Sequence, residues 1–446
     1  MTETTTPAGP GRMKLTQRER EILAGADGEV MAKVLETVIR YGEIFGAQRL
    51  VELDGPIHVV TSMGMTGLNA TFDLLDRLIA AGLTTRRPFT VDPRPFDFDA
   101  VPYTENEKRD LLALYMHQDR YEEQLRRLGI TSDDAYSCTA YLSEVGNTPS
   151  EGDILAWAES SAVVYANSVL AARTNRNSGL IELMCGIAGR TPEFGLLLDE
   201  GRQATWVIEV ATSQLPPATV LGSAVGRTVV GDVPFVVGLD TFLGTDLSNE
   251  TTRDYLKDFG AATASNGAVG LFHIEHLTPE ARRHGRDLIT ADHRRVVIDD
   301  DMIADLIAGY PVLWADENAE PETALIGCPH LSSSQLRTVT AAILTALRAS
   351  GRRTVAIRTV LSAAPAVVAE FKQRHRELYE PALAAGVTVA SMCPALHMNT
   401  PATSSRPVIT NSNKLRTYTT SRFFTDREVL DRIAGAHPET RTEQSS

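Results

Sequence analysis

No apolar run in the 446 residues approaches the roughly 20 that a membrane-spanning helix requires. The opening "MTETTTPAGPGR" has no charged segment leading into an apolar one, so nothing in it marks a secretory signal. Both absences lead to the expectation of a cytoplasmic protein with no membrane partner. Basic charge is also scarce: 43 Lys and Arg stand against 57 Asp and Glu, a formal net charge of -14. Nucleic-acid binding depends on basic side chains neutralising phosphates, so this balance argues against such a partner. Close cysteine pairs are missing. Cys138, Cys185, Cys328 and Cys393 stand far apart, which argues against a disulfide framework and leaves metal binding, catalysis or plain burial.

What is present describes an ordinary globular chain, 43% hydrophobic and 22% charged. It is long enough for two or three subdomains. Residues 1–12 and 436–446 are small and polar and read as disordered tails around a folded region, 13–435. Within that region helical and strand patterns alternate. Thr16 and Glu19 form a capping-box pattern ahead of an apolar helix, with Gly25 as its stop, and a second amphipathic pattern runs from Glu29 to Tyr41. "RLVELDGPIHVV" has β-branched runs suited to strands, and "ENEKRDLLALYMHQDRYEEQLRRLGI" reads as one long helix capped by Gly129. Strand-like runs follow in "VPFVVGL", "AVGLFHI", "RVVID", "YPVLWA", "TALIG", "TVAIR" and "GVTVASM", separated by helical stretches. Short continuous apolar strands alternating with helices predict an α/β fold with mainly parallel sheets covered on both faces.

Cys328 and Cys393 each end a predicted strand and are followed by proline. In open α/β sheets ligands sit beyond the carboxyl ends of the strands. Cys138, in "DAYSCTAYL", stands among turn-forming and hydroxyl residues, whereas Cys185 lies in an apolar helical pattern and reads as core. Three thiolates could hold an iron–sulfur cluster with one iron left open, a Lewis acid suited to helping hydroxide leave. Buried thiols, or a Cys/His zinc site including His330, are the alternatives.

The stretch "ESSAVVYANSVLAARTNR" joins a buried helix to polar ends. Backbone amides near Ser160 and Ser161 suit a carboxylate or phosphate at a helix N-terminus, and Arg173 suits the same group as a bidentate partner. Asn167, Thr174 and Asn175 could orient a hydroxyl, a ring nitrogen or a cluster sulfide, or could simply cap the helix and satisfy buried backbone. "GSAVGR", Gly222 to Arg227, is a faint phosphate-loop resemblance that close packing explains equally well.

"CTAYL", "AWAESSAVVYANSVLAARTNR", "GIAGRTPEFG", "GLFHIEHLTPEA", "IGCPHLSSSQL" and "NSNKLRTY" together resemble the large, catalytic subunit of the aconitase X family, a branch of the aconitase superfamily, in the family's order from about Met13 to Phe424. The resemblance implies an aconitase-like fold of several α/β subdomains around a central cleft. It implies a hydro-lyase acting on a small hydroxy acid, with an iron–sulfur cluster of undetermined nuclearity held by Cys138, Cys328 and Cys393. It draws Ser160, Ser161, Asn167, Arg173, Thr174 and Asn175 towards the site. His58 matches a family histidine near the substrate, His330 and Ser332 flank the second cysteine, and Lys414 and Tyr418 match a C-terminal motif in which Lys414 could neutralise substrate charge. Ser160, Ser161, His330 and Lys414 are the candidate catalytic residues; the other polar residues would bind substrate. No swivelling domain is recognisable in the chain, so a separate small subunit carrying one is the expected partner, and in the wider superfamily the base is a serine on that domain.

Departures bear on the substrate. Asp92 stands where asparagine is expected, and an added negative charge disfavours a phosphorylated ligand unless it is paired. Ala140 replaces a common proline, His276 a common glycine, and "ASMC" the usual acidic and threonine residues before the third cysteine. These departures put cis-3-hydroxy-L-proline ahead of mevalonate 5-phosphate as the expected substrate. A zinc-dependent hydrolase, for which no HExxH signature is present, and a noncatalytic scaffold are the competing classes.

Overall fold

Thr16 closes a capping box on helix Gln17–Leu23, its hydroxyl accepting from Glu19 N at 3.2 Å while the Glu19 carboxylate accepts from Thr16 N at 2.7 Å. The amphipathic pattern after it forms helix Glu29–Ile44, which packs its apolar face on helix Gly179–Ala188. The computed structural model describes residues 13–61 and 63–436; the segments 1–12 and 437–446, both expected as tails, lie outside the described residues. Among the described residues no helix is long and apolar enough to cross a membrane.

Among the described residues the architecture is mixed α/β with three parallel sheets. Ile57–Val59 lies between Phe89–Val91 and Ala156–Trp157 in the first. The second runs in the order His273–Ile274, Pro234–Val237, Ala204–Val210, Ile289–Ile298. The third has five strands, Val387–Ala390, Arg358–Ala363, Thr323–Leu331, Val408–Thr410 and Arg422–Phe423, with Thr323–Leu331 buried in the centre. A small antiparallel pair, Leu50–Glu52 with Arg190–Pro192, stands apart. Each parallel sheet feeds its own apolar core, around Phe72 and Phe89, around Val164 and Phe259, and around Ile343 and Phe371. Cys185 lies fully buried in the first of these, as its helical pattern predicts.

In the second core, helices Ala218–Val229 and Glu250–Gly267 meet backbone to backbone. A Cβ on Gly222 would stand 2.3 Å from Phe259 O, and one on Gly267 would stand 1.8 Å from Gly226 O. The glycines of "GSAVGR" therefore serve helix–helix packing and form no phosphate loop.

Three sequence expectations are corrected. The single helix expected from Glu105 to Ile130 is two, Glu105–Leu114 and Gln118–Leu128. Tertiary partners interrupt it: Leu114 O accepts from Thr66 N at 2.7 Å, His117 N donates to Gly64 O at 3.2 Å, and the buried Tyr115 hydroxyl donates to Leu396 O at 3.1 Å. "YPVLWA" is not a strand: it joins none of the sheets, and Leu313 stays 57% exposed. "TVAIR" enters its sheet only at Arg358, since Val355 N and Ala356 N are taken by Ala385 O and Ile433 O.

Candidate active site

The central strand of the third sheet carries Cys328. Its ladder is interrupted between Ile326 and Leu331, where Gly327 adopts φ +111° and a Cβ would meet Ser362 O at 2.2 Å, so only glycine allows the bulge that displaces Cys328. Cys393 follows strand Val387–Ala390 and starts helix Pro394–Met398. Cys138 follows Tyr136, which bridges Val91 at the edge of the first sheet. Cys393 thus lies beyond the carboxyl end of its strand, where parallel sheets place their ligands, while Cys328 sits at the bulge within its own and Cys138 just after an isolated bridge. Segment 92–97 joins the sheets: Cys393 N donates to Arg94 O at 2.7 Å and Ser391 N to Asp97 Oδ2 at 3.0 Å.

His330 connects the three cysteine segments. Its backbone N–H donates to Cys138 Sγ at 3.3 Å, its Nε2 lies 2.9 Å from Met392 O, and Ser137 Oγ lies 3.3 Å from its Nδ1. A carbonyl only accepts, so Nε2 carries the proton and Nδ1 accepts from the serine. Burial lowers the imidazole pKa to about 4, which keeps the ring neutral.

Lys414 and Glu159 form a buried ion pair at the start of helix Ser160–Ser168. Glu159 Oε1 also accepts from Ser161 N at 3.1 Å and Ser161 Oγ at 2.9 Å, and Lys414 Nζ reaches Ser161 Oγ at 3.1 Å. Burial alone would raise Glu159 and lower Lys414. Their mutual attraction wins, drawing the carboxylate down to about 2 and holding the ammonium well above its usual value. Burial pushes the Cys138, Cys328 and Cys393 thiols up to about 12.

His58, fully buried, stands beside this group. Asn147 Nδ2 donates to Thr90 Oγ1 at 2.8 Å, which directs the Thr90 hydroxyl hydrogen to His58 Nδ1, also at 2.8 Å. Nε2 then faces Asp92 Oδ1 at 3.4 Å, and neither atom has a hydrogen-bond partner. Burial and the Glu159 charge raise Asp92 to about 6, against the pull of His58 and Lys414.

The fold does not bring every candidate here. Ser332 caps helix Ser333–Ala349, accepting from Gln335 N at 3.1 Å. Tyr418 is 46% exposed. Asn167 lies seven residues from Ser160, about 10 Å along the helix axis. Its amide donates to Thr174 O at 2.8 Å and Gly270 O at 2.9 Å, and its Oδ1 accepts from Thr174 N at 3.0 Å. Arg173 pairs with Asp199 at 2.5 Å, Thr174 Oγ1 donates to Asn175 O at 3.0 Å, and Asn175 holds Phe194 O and Leu196 N. These four have partners inside the fold. Of the departures, Asp92 enters the group, Ala140 is buried packing, and His276 is a surface residue at φ +62°, a backbone conformation that favours glycine.

Sequence reasoning missed Glu159, Asn147 and Ser137. Glu159 had a signal, an acidic residue directly before the serines that open a helix. Asn147 had none.

Among the described residues no three His, Cys, Asp or Glu side chains are grouped to hold one ion. Thiolates on a single zinc, with bonds of about 2.3 Å, must crowd within about 4 Å of one another, whereas a cluster distributes them over separate irons. Three thiols on segments that one residue, His330, ties together through Cys138 Sγ and Met392 O fit the wider arrangement.

Known proteins resemble this chain closely. The family models described as aconitase X first domain and aconitase X second domain match residues 12–200 and 204–308. A phosphomevalonate dehydratase large subunit from Aeropyrum pernix is 34% identical over 77% of this chain and 81% of its own length. The chain belongs to the aconitase X family. Another relative, the phosphomevalonate dehydratase large subunit of Thermococcus kodakarensis, is 33% identical over 73% of this chain and 76% of that protein. The cis-3-hydroxy-L-proline dehydratase of Pseudomonas aeruginosa is 30% identical over 82% of this chain but 59% of its own length. The crystal structure of Thermococcus kodakaraensis aconitase X in its holo-form superposes with a TM-score of 0.78 at 28% identity, covering 94% of this chain and all of that one. As an aconitase X family member the protein is a hydro-lyase, with the mixed α/β fold that the sequence predicts.

Proposed function

We propose that this chain is the large subunit of a two-chain dehydratase that removes water from a small hydroxy acid, with Cys138, Cys328 and Cys393 holding an iron–sulfur cluster. The observation carrying it is the meeting at His330 of three cysteine segments, two thiols buried and one half-buried, beside the Lys414–Glu159–Ser161 group. A cluster bound there supplies a Lewis-acidic iron that eases the departure of hydroxide. Lys414 and the Ser160 and Ser161 hydroxyls bind the substrate carboxylate, Glu159 holding the lysine and serines in place. His330, neutral and doubly hydrogen-bonded, fixes the spacing of the cysteine segments. Glu159 is engaged by Lys414 and both serines and is not free to take a proton; we assign the proton acceptor to the small subunit, as the resemblance implies.

The substrate order expected from the sequence reverses. The relatives matched over most of their length are phosphomevalonate dehydratase large subunits, which favours a mevalonate 5-phosphate-type substrate for this chain. One observation keeps cis-3-hydroxy-L-proline as the second reading. Asp92 adds a carboxylate beside Glu159, a pairing that suits a substrate amine better than a phosphate.

The test is iron, acid-labile sulfide and zinc content after anaerobic purification, for wild type and for Cys138→Ala, Cys328→Ala, Cys393→Ala and Cys185→Ala, followed by assay of both substrates with the small subunit. Iron and sulfide lost in the first three variants only, with turnover requiring both chains, is the expected result. Stoichiometric zinc, or equal sensitivity to Cys185→Ala, overturns the reading.

A further inference from the structure

Lys257 lies on helix Glu250–Gly267 and is 1% exposed. Its ammonium donates to Asp258 Oδ1 at 2.7 Å and to the backbone carbonyl of His330 at 3.2 Å. Asp258, 26% exposed, accepts from Gln335 Nε2 at 2.7 Å through its other oxygen, and Gln335 completes the capping box with Ser332. The turn from Cys328 to Gln335 is thus fastened at both ends to one helix of the region matched by the second-domain family model.

Packing does not explain why a lysine points inward here. Asp258 is near enough to solvent to be paired outside, and a buried ion pair is often no more stable than apolar residues of the same size. The inward ammonium has one partner that an apolar side chain could not serve, the His330 carbonyl. His330 in turn gives its N–H to Cys138, gives its ring proton to the carbonyl preceding Cys393, and stands two residues from Cys328.

Resting on the cluster reading above, we infer that Lys257 is a positioning residue for the cluster: it holds His330 where that one residue fixes all three cysteine segments, and brings a positive charge to a site of thiolates. Partners one shell beyond a metal's ligands typically contribute about 10- to 100-fold in metal affinity.

The test uses anaerobically reconstituted full-length chain with its small subunit, comparing wild type with Lys257→Met and Lys257→Gln. Glutamine keeps an N–H donor for His330 but no charge. Thermal unfolding checks the fold, and iron and sulfide content, the rate of iron loss to excess chelator and the cluster's reduction potential are read. Lys257→Met is expected to release iron about tenfold faster or more and to shift the potential to more negative values, because a cation that favours the reduced cluster is gone. Lys257→Gln is expected to recover much of the retention while keeping the shifted potential. A folded Lys257→Met with wild-type content, release rate and potential overturns the inference. Should Lys257→Met not fold, Lys257→Gln with unchanged release and potential overturns it equally. Wild type without iron and sulfide instead overturns the cluster reading itself.

Discussion

Helix Ser160–Ser168 has a polar cluster at each end, and the two differ in what they leave available. At the carboxyl end, Asn167 binds three backbone groups, and Arg202, 1% exposed, joins Glu280 at 2.7 Å and donates to Asn167 O at 3.0 Å. At the amino end, Glu159, Ser161 and Lys414 bind chiefly one another. A saturated cluster stabilises the fold, whereas one that closes on itself can reopen for a ligand.

Lys414→Met should separate the two ends most sharply. It leaves Glu159 buried without its cation, costing about 3–5 kcal/mol in stability, and turnover should fall about 10²- to 10³-fold in the surviving folded protein. Wild-type turnover in a folded variant would remove the amino end from the site. Arg202→Met should cost a comparable 3–5 kcal/mol, seen as a lower melting temperature, with turnover per folded molecule unchanged. A variant that folds well but turns over poorly would show that the carboxyl end also serves the chemistry.

Acid titration sharpens the contrast. Glu159 has its pKa depressed to about 2 from 4.5, so its contribution to stability is present above pH 4.5 and is lost as the pH falls towards 2. Glu159→Gln should therefore flatten the acid limb of a stability-versus-pH curve; an unchanged limb would mean the pair is not intact in solution. The smallest effect is expected from Arg173→Ala. Its ion pair with Asp199, a residue 86% exposed at the side chain, contributes at most about 1 kcal/mol after solvent screening, and the KM for the hydroxy acid should not move. A tenfold higher KM would return Arg173 to the substrate.

The sequence made the layered α/β class, the caps at Thr16 and Gly129 and the core placement of Cys185 legible, because periodicity and capping are local. It misread Tyr115–His117 and "YPVLWA", where the outcome depends on how distant segments engage the backbone. In the site, Lys414 and His330 could be picked out by their neighbours in sequence. The role of Lys257 could not, since nothing local turns a helical lysine towards a carbonyl 73 residues away. The partners that Arg173 and Asn167 have within the fold, Asp199, Leu197 O, Thr174 O and Gly270 O among them, are likewise brought by distant or folded-back chain that a sequence does not display.

Where helices Ala218–Val229 and Glu250–Gly267 touch without side chains between them, a single methyl group at Gly222, Gly226 or Gly267 would have no room. The second of these helices also carries Lys257. A side chain at that joint would push the helix outward, so a fault of packing at a glycine would reach the His330 carbonyl through the one ammonium the helix presents to it.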